Sequence, residues 1–186
     1  SVSTVGGDTV HQFTTTGSSA LDLSGLDLDA RLGVALTSAI TGSGDLIFNG
    51  PGRLTLDAHN TYTGSTTVNA GTLLVEGQHT NGGAYSIANG AAFGGSGSID
   101  SALTLDEGAR FWWDGLSTFT VQDGNAVLLD DTFGIDSLVG FDWADIGLGQ
   151  YTLIANNSDF AGMNLTNWGL GNAYDLGDGR LAYFSE

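Results

Sequence analysis

Cysteine and lysine are missing from this 186-residue sequence and proline occurs once, and these absences narrow what the chain can do. Without cysteine there are no disulfides, no thiolate metal ligands and no thiol nucleophile. Four arginines stand against 21 acidic residues, for a formal net charge of −17. Binding a polyanion requires clustered cations that displace its counterions, so nucleic acid is not an expected partner. No apolar run is long enough to cross a bilayer as a helix, which predicts no membrane span of that kind. The chain opens Ser1-Val2-Ser3 without Met, as a product trimmed of a secretory signal would.

What is present is a corner-rich vocabulary: 30 glycines, many Asn and Asp, and short runs of β-formers between them. A hydrophobic content of 41% argues against disorder, and the length suits one continuous domain with a sizeable core. Leu21-Asp22-Leu23 and Leu26-Asp27-Leu28 alternate with period two, placing leucines on a core face and aspartates in water. Arg31 to Ile40 is rich enough in Ala and Leu for a short helix, although Gly33 and the β-branched residues weigh against it. From Gly50 to Gly77, the runs Leu54-Thr55-Leu56 and Leu73-Leu74-Val75 are separated by Gly and Asn corners, as in one coil of a β-solenoid. A looser copy, Gly94 to Asp106, echoes Gly42 to Gly50 followed by Leu54 to Asp57, so that Leu103-Thr104-Leu105 matches Leu54-Thr55-Leu56. Leu54, Leu56, Val68, Leu73, Val75, Leu103 and Leu105 are the expected inward positions. Gln78 to Gly83 reads as the most loop-like segment. Beyond Phe111 aromatics become dense, which predicts a cap that covers an exposed solenoid end.

The pattern resembles the autotransporter-associated β-strand repeat of exported bacterial surface proteins. Gly52, Leu54, Leu56, Asn60 to Gly64, Thr66, Val68, Gly71 to Leu73 and Val75 carry the likeness. It implies an all-β, right-handed parallel β-helix or β-solenoid and an extracellular or cell-surface location after removal of a signal peptide. Residues 1–44 are then an N-terminal arm and first coils, 45–110 the repeat region, and 111–186 the last coils and aromatic-rich cap. Tyr151 to Phe184 is similar to the C-terminal part of such exported proteins, where one more strand and a sorting tail follow; here Phe184-Ser185-Glu186 is the end of the sequence. The function expected is structural and non-enzymatic, with copies of the same chain as partners. Tyr183 and Phe184 would border an unfilled edge. Residues 1–16, anchored by Val2, Val5, Val10 and Phe13, are the segment expected to fill it in the same chain or a neighbour.

Other chemistries fare less well on residue type and spacing. A lyase needs a strong base and clustered cations, whereas Arg31, Arg53, Arg110 and Arg180 are scattered. A hydrolase needs two carboxylates some 5 to 10 Å apart. Asp130 with Asp131, or Asp142 with Asp145, supplies such pairs, as chance does in so acidic a chain. His11, His59 and His79 lie far apart without ligand spacing, so no catalytic or transition-metal site is expected and no cofactor. Calcium is the one cation with matching donors, at Asp175 and Asp178 beside the Gly177 and Gly179 turn, though the turn itself explains these residues as well. The threonines at 61, 63, 66 and 67 do not recur in the second copy, so strand propensity accounts for them. Trp112 and Trp113 offer sugar stacking, making a glycan-binding module or adhesin the principal alternative. Neighbours on a strand face opposite ways, so one of the two is expected to be a platform and the other core.

Overall fold

The computed structural model describes residues 2–5, 8–11, 21–22, 33–122, 124–130, 132–156 and 165–185. Strands β1 (Val2–Val5) and β2 (Asp8–His11) pair antiparallel as a separate hairpin. The solenoid follows with β3 (Leu21–Asp22), β4 (Val34–Leu36), β5 (Leu46–Phe48) and β6 (Arg53–Leu56). Next come β7 (Thr66–Val68), β8 (Thr72–Val75) and β9 (Gln78–His79), then β10 (Tyr85–Ile87), β11 (Ala92–Gly94) and β12 (Ser98–Ile99). The last coils hold β13 (Leu103–Leu105), β14 (Arg110–Trp112), β15 (Phe119–Val121), β16 (Val127–Leu129), β17 (Leu138–Val139) and β18 (Ile154–Ala155). A terminal hairpin pairs β19 (Tyr174–Asp175) with β20 (Leu181–Ala182).

Three parallel faces run along the stack. The first is β3-β5-β7-β10-β13-β16, the second β4-β6-β8-β11-β14-β17, and the third β9-β12-β15-β18. An Asn60 to His79 bridge carries the third face one coil further back. Strand residues alternate inward and outward, so Leu46 and Phe48, or Leu54 and Leu56, enter the core while Ile47 and Thr55 face out. All seven inward positions expected from the sequence are buried. Each such leucine or valine contributes about 1.5–3 kcal/mol relative to exposure, and no single coil can bury them without its neighbours.

The corners explain the repeat residue by residue. Asn60 is buried and bridges coils: its Oδ1 accepts from the Ile40 N–H at 2.8 Å and its Nδ2 donates to the Ala58 carbonyl at 3.0 Å. A Cβ on Gly64 would lie 2.2 Å from the Gly44 carbonyl oxygen, so backbones meet there too closely for any side chain. Gly71 combines a φ of +75° with a similar approach to the Gly50 carbonyl, which selects glycine twice over. Outside, Asp45 receives the Ser65 N–H at 2.7 Å, Asn69 donates to Asn49, and Glu76 receives the Ser96 N–H and hydroxyl. These polar steps join residues 20 positions apart, the local length of a coil.

One open choice is settled and two expectations need correction. Val34–Leu36 is a strand, which settles the open choice in Arg31 to Ile40 against the short helix, as Gly33 and the β-branched residues favour, because pairing in register with Leu54–Leu56 satisfies its backbone. Gln78–His79 is also a strand, with His79 fully buried; only the residues after it, around Asn81 at φ +60°, turn the corner. Leu103–Leu105 stacks on Tyr85–Ile87 in the first face, not on the face of Leu54–Leu56. A Leu-Thr-Leu pattern fits any inward-outward-inward strand, and the coil length decides which face receives it.

Candidate functional site

The core is not uniformly apolar. Tyr62, Thr66, His79 and Tyr85 are all fully or almost fully buried and form one hydrogen-bonded chain. Thr66 Oγ1 and Tyr62 Oη are 2.6 Å apart, Tyr62 and Tyr85 hydroxyls 3.2 Å, and the Tyr85 hydroxyl lies 2.6 Å from His79 Nδ1. His79 Nε2 lies 2.7 Å from the Tyr62 carbonyl oxygen, which can only accept, so Nε2 carries the proton and Nδ1 receives the Tyr85 hydroxyl. The imidazole stacks on the Tyr62 ring at 3.9 Å. From there an aromatic column runs on through Tyr85, Phe93 and Phe119 to Phe111. Burial holds the His79 pKa below its ordinary value, partly offset by the Tyr62 carbonyl, and His59 lowers it further. Burial likewise raises the phenol of Tyr62 and, further, that of Tyr85, so both stay protonated.

Sequence reasoning missed this cluster because His79 was placed in a loop. The signal was there: counting one coil from Asn60, an inward corner residue of the repeat, lands on His79. His59 faces solvent and meets Thr80 at 2.9 Å, and His11 lies on β2. Among the described residues, no group of three or more His, Asp or Glu side chains is gathered as a metal site.

Outside the third face, Gln78, His79, Thr80, Asp100 and Gln122 line an open depression of about 400 Å³. Amides, a hydroxyl and one carboxylate offer it hydrogen bonds in both directions. On the second face, Trp112 is half-buried and points outward, with its pyrrole edge over Gly140. Trp113 is core: it is 3% exposed, its Nε1 donates to the Ser117 carbonyl at 2.8 Å, and its ring meets Phe141 and Tyr151. The pair therefore divides between surface and interior, as strand alternation requires.

The remaining candidate residues fall at the ends. Asp175 Oδ1 accepts from the Gly177 N–H at 2.8 Å, and Asp178 is held by Arg180, with Nε at 2.7 Å from Oδ2. A calcium ion at Asp178 would have to displace that guanidinium. Arg180 also donates to the Ile146 and Trp143 carbonyls at 2.7 and 2.9 Å, fastening the terminal hairpin to the 3-10 turn at Trp143–Asp145. Phe184 packs on Phe133, while Tyr183 is 46% exposed. Asn167 Oδ1 accepts from the Ile135 N–H, completing an aromatic-rich cap over the last coil. Of the carboxylate pairs, Asp142 caps the 3-10 turn through the Ala144 N–H and Asp130 binds Thr132; Asp131 lies outside the described residues. Val2 and Val5 lie on β1 and Val10 on β2, which pair antiparallel; Phe13 lies outside the described residues.

These features define the class as an all-β parallel solenoid. Residues 46–75 match the family model of the passenger-associated-transport repeat. Over 73 residues the chain is 39% identical to the adhesin BmaC autotransporter of Brucella suis biovar 1 (strain 1330). The match covers 39% of this chain and 2% of that much longer protein. No solved structure matches the chain. Neither similarity is to an enzyme family.

Proposed function

We propose that this chain is a structural solenoid segment of an exported, surface-exposed protein and that it associates with copies of itself. The observation that carries the reading is the difference between its two ends. At one end, the first and second faces stop at β3 and β4 among the described residues, and Val34, Leu36 and Ile40 are only half-buried where their successors Leu54, Leu56 and Asn60 are buried. An edge strand with apolar inward side chains continues into any strand of matching register. The other end is closed by the Arg180 and Asn167 contacts of the cap. Association is therefore expected through the β3/β4 edge. The variant in which residues 1–16 enter a neighbour as a donated strand requires the β1–β2 hairpin to open first.

At −17 the subunits repel one another, and salt screens exposed charges beyond about 8–10 Å. Sedimentation velocity at rising salt, with electron microscopy of the same samples, tests the reading. Larger species that grow with salt are expected, and Leu36→Asp should abolish them. A monomer at every salt and protein concentration would sink self-association. A second reading, a glycan-binding adhesin, is favoured by the polar depression of Gln78, Asp100 and Gln122 and by outward Trp112. Glycan-array binding that is lost in Gln122→Ala or Trp112→Ala would support it over the scaffold.

A further inference from the structure

Counting hydrogens along the buried hydroxyl chain exposes a sensitivity to acid. With His79 neutral, three contacts are served by three hydroxyl protons: Tyr85 donates to His79 Nδ1, Tyr62 to Tyr85, and Thr66 to Tyr62. A proton on Nδ1 reverses every arrow. Tyr85 must then accept from the imidazolium and donate to Tyr62, which donates to Thr66. The ring's new positive charge, fully buried, has no carboxylate among its hydrogen-bond partners. An unpaired buried charge is costly.

The surroundings offer no relief. The segment before β7 presents the Tyr62 phenol and, further back, His59, whose coulombic effect disfavours a proton on His79. Strand β10 presents the Tyr85 phenol. Beyond β12, Asp100 donates its N–H to the His79 carbonyl, and its Oδ1 receives Asn125. Glu76, at the turn before β9, is bound by Ser96. Over the ring itself lies Gly82, where a Cβ would come 2.2 Å from His79 Cε1, so the corner around Asn81 to Gly83 is the ring's cover.

We propose that His79 is an acid-sensitive latch: neutral, it locks the coil of β7–β9 to β10, and its protonation releases the Asn81 to Gly83 corner and loosens that junction while the other coils hold. The sign follows from linkage. The folded state binds the proton less readily than the unfolded chain, so the stabilisation is complete above about pH 6.5 and is lost progressively as pH falls below it. The loss stops growing once the buried imidazole itself titrates.

Hydrogen–deuterium exchange between about pH 7.5 and about pH 5 reads this directly, in a range where ordinary carboxylates stay ionised. After correction for intrinsic exchange chemistry, the opening constant of Thr66–Val68 and Tyr85–Ile87 should rise about tenfold per pH unit below about 6.5. The amides of Leu103–Leu105 should change less. His79→Phe should remove the pH dependence, and His59→Gln should keep it. Equal pH dependence in wild type and His79→Phe would overturn the latch. Should His79→Phe not fold, an imidazole titration of the wild-type protein by NMR decides: a His79 pKa at or above the ordinary value refutes the proposal.

Discussion

The repeat coils from Leu46 to Trp112 and the region after them solve the same packing problem differently. In the coils, register pairs such as Leu46 with Thr66 and Thr66 with Tyr85 keep a near-constant step, and the corners are closed by glycines and small polar side chains. Past Trp112 the steps lengthen, from Phe111 to Leu138 and from Phe119 to Ile154, with 3-10 turns among the extra residues and a hairpin after them. Every large apolar side chain that is exposed among the described residues lies in this second region, Leu116 and Leu148 foremost. Regular stacking hides apolar surface automatically, because each coil covers the last. Ending a stack takes individual contacts, and what those contacts do not reach stays in water.

Substitutions can break or sharpen that contrast. Leu56→Asp should have the largest effect, more than about 4 kcal/mol in chemical denaturation, since the carboxylate would be buried without a partner. An unchanged denaturation midpoint would mean that the inward register is wrong. Gly64→Ala comes next, at about 1–3 kcal/mol, because its Cβ would sit 2.2 Å from the Gly44 carbonyl and the two coils must separate. Asn60→Ala should lose about 1–2 kcal/mol by removing the acceptor of the half-buried Ile40 N–H. In the cap, Arg180→Gln should raise exchange or proteolysis at Trp143 to Ile146 and leave the coil strands protected; loss of protection throughout would show that cap and coils are one cooperative unit. Smallest of all, Leu148→Ser should stay within about 0.5 kcal/mol, its side chain being 88% exposed.

The coils were the legible part of the sequence for the reason that they are regular. Leu54, Leu56, Leu73 and Val75 repeat with period two between glycine corners, so their inward direction follows from pattern alone. Which face a strand joins is set by the exact length of each corner, and Leu103-Thr104-Leu105 was accordingly placed one face away. His79 was illegible for a different reason: a histidine beside Gln, Thr and Asn has loop composition, and its burial depends on hydroxyls that Tyr62 and Tyr85 supply from adjacent coils. The cap was foreseen from its aromatics, but not the role of Arg180, whose partners are backbone carbonyls that carry no sequence signal.

The parallel ladders also set how the molecule responds to force. Hydrogen bonds between stacked strands point along the solenoid axis, so a pull along that axis loads the few bonds of one junction at a time instead of shearing many together. Single-molecule extension should then proceed by peeling, coil after coil. In the regular coils each event would free a segment of 20 residues, the spacing of the Asp45 to Ser65 step, and lengthen the tether by roughly 60–67 Å at full extension.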